Sequence, residues 1–209
     1  MLFSFHVVKR DSEVVRSMLT ILLVRSGLTE YDCQGRIQGT LDVPLSGEGR
    51  QQATATAEEL AARGTTIDAL YAGPCLGAQQ TAEVLAQKLK LKPKTLKTLH
   101  NLDQGLWQGM LFEEVKSKQP KVFRQWQERP DTVCPPEGET VREATDRLKA
   151  AIAKLSKKHK SGTIALVLSQ PLASVLRCML QTGGQPPTLC QSACVGKPLW
   201  EPIELAAAI

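Results

Sequence analysis

An arginine, a serine and a glycine close the most apolar run of this 209-residue chain. The run is Leu19-Thr20-Ile21-Leu22-Leu23-Val24, and it ends in Arg25-Ser26-Gly27. A guanidinium is a planar fork of donors suited to an oxyanion. A serine hydroxyl becomes a nucleophile when a base lies beside it; otherwise it satisfies loop backbone groups. Glycine lets the backbone approach a ligand closely. Other reactive side chains are scattered. The six cysteines (Cys33, Cys75, Cys134, Cys178, Cys190, Cys194) include no Cys-x-x-Cys pair, and there are only three histidines. A zinc site is therefore poorly supported, and no metal or cofactor is expected. Thiols spaced this way fit a reducing compartment in which most are buried, and the protein is expected to be cytoplasmic. Cys190 and Cys194 remain able to pair or to bind something. Cys33, Cys75 and His100 are weaker candidates for a displaced catalyst.

These groups need a scaffold. A continuous apolar run of strand length suits a strand buried on both faces, as in a parallel sheet. Polar residues at its carboxyl end then face the ligand crevice of an open α/β sheet. The chain continues as an alternation of helices and strands. Ser46 is a good N-cap before helix formers over Gln51–Arg63, which break near Gly64. Ile67–Tyr71 predicts a second short buried strand. A helix over Gln79–Lys90 leads to an edge or third strand over Thr95–Leu99. Phe112–Arg129 predicts one or two helices, with Trp107, Phe123 and Trp126 as core or lid packing. Thr140 and Glu143 have capping-box spacing at the head of a helix that runs to about Lys158. Thr163–Ser169 is a second strongly apolar strand, and Pro171 is well placed at the first turn of a helix over Leu172–Leu180. Leu189–Val195 and Leu199–Ile203 can supply final strands.

The order of these motifs resembles the histidine phosphatase superfamily, the phosphoglycerate mutase-like proteins. Its pattern Leu-Val-Arg-His-Gly-x-Thr, then Gly-Arg-x-Gln-Gly, is matched at Arg25, Gly27, Thr29, Gly35, Arg36, Gln38 and Gly39. Asp42-Val43-Pro44-Leu45 with Gln52-Ala53 is similar to its next segment, as are Tyr71, Pro74 and Ala78 with Gln80-Thr81-Ala82-Glu83. Gly105, Trp107 and Gly109 match a further motif, and Gly138-Glu139-Thr140 another. The resemblance covers about Leu19 to Val195. It implies an α/β three-layer sandwich with a mostly parallel central sheet and helices on both faces. It divides the chain into an extension over 1–17, or alternatively an added strand there through Phe3, Phe5, Val7 and Val8, and a single domain over 18–209.

The resemblance also assigns the site. The phospho-accepting histidine falls at Ser26, a phosphate-gripping arginine at Gly77, the proton-donating glutamate at Asn101 and a second histidine at Gln170. Arg25 alone of the five positions is kept. Asp32, Gln38 and Gly39 stand where relatives hold substrate, the first usually as asparagine, and a carboxylate there repels phosphate. An amide is no general acid, and a serine without a base is a poor nucleophile. The resemblance thus implies a pseudoenzyme that binds a protein partner or a weakly held phosphate-like anion through Arg25, Gly27, Asp32, Gln38 and Gly39. The alternative is a phosphatase or phosphomutase with altered catalytic residues.

Charge and hydropathy narrow the partners. A net charge of +5 is modest, with 42% hydrophobic and 22% charged residues. No run of about 20 apolar residues exists, so no membrane partner is expected. Lysines gather at Lys88, Lys90, Lys92, Lys94 and Lys97, and at Lys154, Lys157, Lys158 and Lys160. Without interleaved aromatics or a nucleic-acid motif they predict solvated helix ends rather than a nucleic-acid surface. Assembly into a homo-oligomer stays open.

Overall fold

The computed structural model describes residues 18–181 and 199–204. The expected extension over 1–17 and the strand over Leu189–Val195 lie outside the described residues, as do Cys190 and Cys194. In chain order the main elements are β1 (Leu19–Arg25), α1 (Glu30–Cys33), α2 (Gly47–Ala62), β2 (Ala69–Ala72), α3 (Leu76–Leu89) and β3 (Pro93–Thr95). There follow α4 (Phe112–Lys118), α5 (Pro120–Glu128), α6 (Val141–Lys158), β4 (Gly162–Leu168), α7 (Leu172–Leu180) and β5 (Trp200–Glu204). Short 3-10 turns lie at Lys97–Leu99, Gly105–Trp107 and Pro130–Thr132.

The sheet has the order β3-β2-β4-β1-β5. The pairs β3–β2, β2–β4 and β4–β1 are parallel, and β5 closes the sheet antiparallel to β1. Strand periodicity explains the continuous apolar runs. Ile21 and Leu23 of β1 and Ile164, Leu166 and Leu168 of β4 enter one core with Leu148, Ile152 and Leu176. Leu22, Val24, Ala165 and Val167 enter a second core with Ala57, Leu60, Ala82 and Leu85. Both faces of the sheet are covered, so alternate residues are all apolar. The result is the three-layer α/β sandwich with a mostly parallel sheet.

Several local signals act as their chemistry predicts. The Ser46 side chain accepts from Gly49 N at the head of α2, and Thr140 and Glu143 form a reciprocal capping box at the head of α6. Elsewhere the structure corrects the sequence. The third strand is Pro93–Thr95, not Thr95–Leu99. Leu96 N–H bonds to Ala72 O, then the chain tightens into the 3-10 turn, which a strand reading misses. The helix expected from Gln79 begins at Leu76, where the N-cap Cys75 makes no side-chain cap bond and so leaves no signal. Cys75 is buried, but Cys33 and Cys134 are exposed, against the expectation of mostly buried thiols. Among the described residues, no helix is long and apolar enough to cross a membrane.

Candidate functional site

Parallel pairing brings the strand ends together. Arg25 is the register partner of Leu168, and Ala72 of Val167, so the segments that follow β1, β2 and β4 leave one edge of the sheet. The chain after β1 runs to the face of α2, and the chain after β4 runs into α7 on the opposite face. Such a divergence between neighbouring strands opens the crevice where α/β sheets bind ligands.

Ser26 sits at this edge, buried, with its backbone N–H donating to Leu168 O at 2.9 Å. Arg25 is half-buried at the end of β1. Gly27 donates its N–H to Thr81 Oγ1 at 3.1 Å, and a Cβ at 27 would strike the backbone of Gly49. Glycine at 27 is thus required by packing against α2. Gly77 lies buried in the first turn of α3; a Cβ there would stand 3.0 Å from Thr29 Cγ2 and 3.6 Å from Leu45 Cδ2.

Asn101 is a hub. Its Nδ2 donates to Gly39 O at 2.8 Å and to Gln170 O at 2.7 Å, and its Oδ1 accepts from Leu172 N at 3.2 Å. It therefore ties the Gln38–Gly39 turn to the start of α7. Gln170 turns its Oε1 onto the same helix, accepting from Ser174 N at 3.2 Å and from Ser174 Oγ at 2.9 Å. The segment carrying Asn101 is clamped in turn by Arg147. Its guanidinium bonds Glu139 in bidentate fashion, Nε–Oε1 2.6 Å and Nη2–Oε2 2.8 Å, and also donates to Thr98 O and Asn101 O.

Asp32 is accounted for by its own helix end. Its Oδ2 accepts from Thr29 N and from Thr29 Oγ1, both at 2.7 Å, and Thr29 Oγ1 accepts from Asp32 N in return. Gln38 Nε2 donates to Leu41 O at 3.1 Å, while its Oε1 stands 3.1 Å from Thr29 Oγ1. A cleft of about 300 Å³, counting the part open to solvent, gathers Asp32, Gln38, Gly39 and Gln170. Arg25, Ser26, Gly27, Gly77 and Asn101 are not among its lining residues.

The same cleft contains residues to which sequence reasoning gave no site role. Arg36 lines it, held by Nη1 donating to Gly109 O at 2.7 Å. Its place in the Gly-Arg-x-Gln-Gly pattern was the available signal. Gln104 lines it as well, fully buried, and neither Nε2 nor Oε1 has a partner among the described residues. Nothing local in the sequence marks that residue. An orphaned buried amide costs about 1–3 kcal/mol until water or a ligand satisfies it. Ile37, Phe112, Trp126 and Pro171 complete the wall.

Burial pushes the Asp32 carboxyl above its ordinary range, and the two hydrogen bonds from Thr29 only partly oppose this. The folded state then binds that proton more tightly than the unfolded state does. The ionised carboxylate is a cost at neutral pH, relieved as pH falls through the folded pKa and absent below the unfolded value near about 3.9. Asp32→Asn should accordingly raise the Tm at neutral pH, and its advantage should shrink on acidification through that window. Thermal melts of both proteins across the range check this; an advantage that grows on acidification would contradict it.

The fold has counterparts among known proteins. The family model of the histidine phosphatase superfamily (branch 1) matches residues 21–193. The chain is 32% identical over 163 residues to phosphoserine phosphatase 1 of Hydrogenobacter thermophilus, covering 78% of this chain and 76% of that protein. It is 33% identical over 159 residues to phosphoglycerate mutase-like protein 4 of Arabidopsis thaliana, covering 75% and 68%. Its fold is similar to that of Bacillus stearothermophilus YhfR, with a TM-score of 0.76 at 23% identity over 90% of this chain and 92% of that one. A mycobacterial glucosyl-3-phosphoglycerate phosphatase in complex with VO3 gives a TM-score of 0.74 at 24% identity over 88% and 90%. With a family model spanning most of its length and relatives of this identity, the chain belongs to the histidine phosphatase superfamily.

Proposed function

We propose that this protein recognises a phosphate-like anion, or a protein partner, without running the phosphohistidine reaction of its superfamily. The observation that carries this is the bonding of Asn101. Where the resemblance puts a proton-donating glutamate, this side chain has no proton of suitable acidity, and three hydrogen bonds commit it to holding Gly39, Gln170 and Leu172 together. Support also comes from Gln170, which caps Ser174 where the pattern has histidine, and from Ser26, which has no imidazole to attack phosphorus. Arg25 keeps a cation at the end of β1. The chain forms one domain from residue 18 onward, needs no metal or cofactor, and works in the cytoplasm, where the exposed thiols of Cys33 and Cys134 stay reduced.

A second reading is favoured by the names of the relatives, which are phosphatases and a phosphoglycerate mutase-like protein. In it the chain still hydrolyses or transfers a phosphoryl group through an altered set of residues, with Ser26 as nucleophile and phosphoserine among the substrates to try.

Titration calorimetry with inorganic phosphate and a phosphomonoester tests the recognition site. Weak binding is expected, reduced about 10- to 100-fold by Arg25→Ala, the range that one charge-assisted hydrogen bond supports. Gln104→Leu should raise the Tm and also weaken the phosphomonoester. Micromolar affinity insensitive to both substitutions would show that the anion site lies elsewhere.

A further inference from the structure

The two lysine-rich stretches, far apart in the chain, meet on one face of the molecule. Lys94 Nζ from β3 and Lys158 Nζ from the end of α6 lie over the same ring, 6.0 Å and 5.6 Å from the centroid of Tyr71. The junction is fixed from within. The Tyr71 hydroxyl lies 2.9 Å from His159 Nε2, and the two rings meet edge to face at 5.9 Å. The end of α6 is thus fastened to β2 beside β3, which is an edge strand.

The positive charge gathered there is in excess. Lys90, Lys92, Lys94, Lys97, Lys154, Lys157, Lys158 and Lys160 are all exposed. None of these eight has a carboxylate within ion-pair distance among the described residues. The sequence withholds acids from both stretches: there is no Asp or Glu from Val84 to Leu102, or from Arg147 to Trp200. Asp68, whose Oδ2 accepts from Thr163 N at 2.8 Å, keeps its charge and offsets one of the eight. Complementing helix dipoles accounts for Lys88, Lys157 and Lys158. It does not account for Lys92, Lys94 and Lys97, which lie beyond α3, in the link to β3, on β3 and in the turn after it.

We infer that this face is a docking surface for a short, extended, acidic segment of a partner protein. Like-charged lysines held together on one surface favour an anionic partner, which relieves their mutual repulsion and is steered to them. Two features select a peptide over a nucleic acid. The eight cations are all lysine, without an arginine fork for phosphate. No described Phe, Tyr or Trp is exposed, so none of these offers an open platform for base stacking. Pro93 limits main-chain pairing along β3, so recognition is through charge rather than strand addition.

The test is fluorescence anisotropy with a labelled Asp- and Glu-rich peptide, at low ionic strength and near 0.15 M salt, where the Debye length is about 8 Å. Lys94→Glu/Lys158→Glu should weaken binding at least about tenfold, and binding should weaken with salt. Lys116→Glu on α4 should leave it unchanged. Lys94→Gln/Lys158→Gln, with melting followed by circular dichroism, separates loss of charge from loss of fold: a folded double-Gln variant should bind more weakly than the native chain. Equal affinity of the double variants and the native chain would overturn the assignment. So would the absence of peptide binding at low salt, or tighter binding of duplex DNA of matched charge, which would give the face to nucleic acid. The result does not depend on whether the pocket turns over a substrate.

Discussion

Replacing Arg147 with methionine should lower the unfolding free energy by about 1.5–3 kcal/mol, the range for losing hydrogen bonds to a charged group, here at a partly buried site. The pair is well shielded, with side-chain exposures of 17% for Arg147 and 13% for Glu139. Two parallel hydrogen bonds join them, and the remaining guanidinium donors reach Thr98 O and Asn101 O. Methionine fills part of the volume but leaves the Glu139 carboxylate without its counter-charge. It also releases the backbone of the segment that presents Asn101 and Gln104. Urea unfolding measures the loss. Arg147→Met/Glu139→Leu should recover much of it, because the uncompensated charge is then gone. A single-variant loss below about 1 kcal/mol would mean the pair behaves as a surface ion pair.

Introducing the missing histidine should not restore a phosphatase. Ser26→His alone should remain at least about 10³-fold below an ordinary family enzyme, because a general acid and further phosphate donors each contribute factors of 10² or more. Catalytic groups act as one set, so one restored member recovers little. The structure adds a steric obstacle to restoring them all. At position 77 an arginine must leave the first turn of α3 past Thr29 Cγ2, only 3.0 Å from where its Cβ would stand. Asn101→Glu removes the two Nδ2 bonds to Gly39 O and Gln170 O. Gln170→His removes the acceptor for Ser174. Ser26→His/Gly77→Arg/Asn101→Glu/Gln170→His should therefore be less stable than the native chain, and its phosphoester turnover should be limited by repacking. Steady-state turnover and melting of the single and quadruple variants decide the matter. Family-level turnover from Ser26→His alone would reveal catalytic groups this account lacks.

Much of the scaffold was legible because its signals are local. The apolar runs of β1 and β4, the Ser46 cap and the Thr140–Glu143 box depend on residues within a turn or two of one another. The edge placement of Arg25, Ser26 and Gln170 follows once those strands are parallel neighbours. What stayed hidden depends on distant pairing. Arg147 and Glu139 become a clamp only because α6 packs beside the turn over Lys97–Leu99. Gln104 becomes an orphan only because no described residue around it offers a partner. The lysines at 94 and 158 look like separate helix-end charges until Tyr71 and His159 bring them to one surface. The third strand was misplaced because its three exposed residues carry no apolar pattern, and pairing with β2 alone defines it.

The central claim is tested most directly by measuring phosphate release from a panel of phosphomonoesters by the purified native chain, together with a search for acid-labile phosphoenzyme. The account predicts no turnover above background and no phosphoenzyme. Robust turnover that disappears in Ser26→Ala would contradict it and make Ser26 the nucleophile of a working phosphatase.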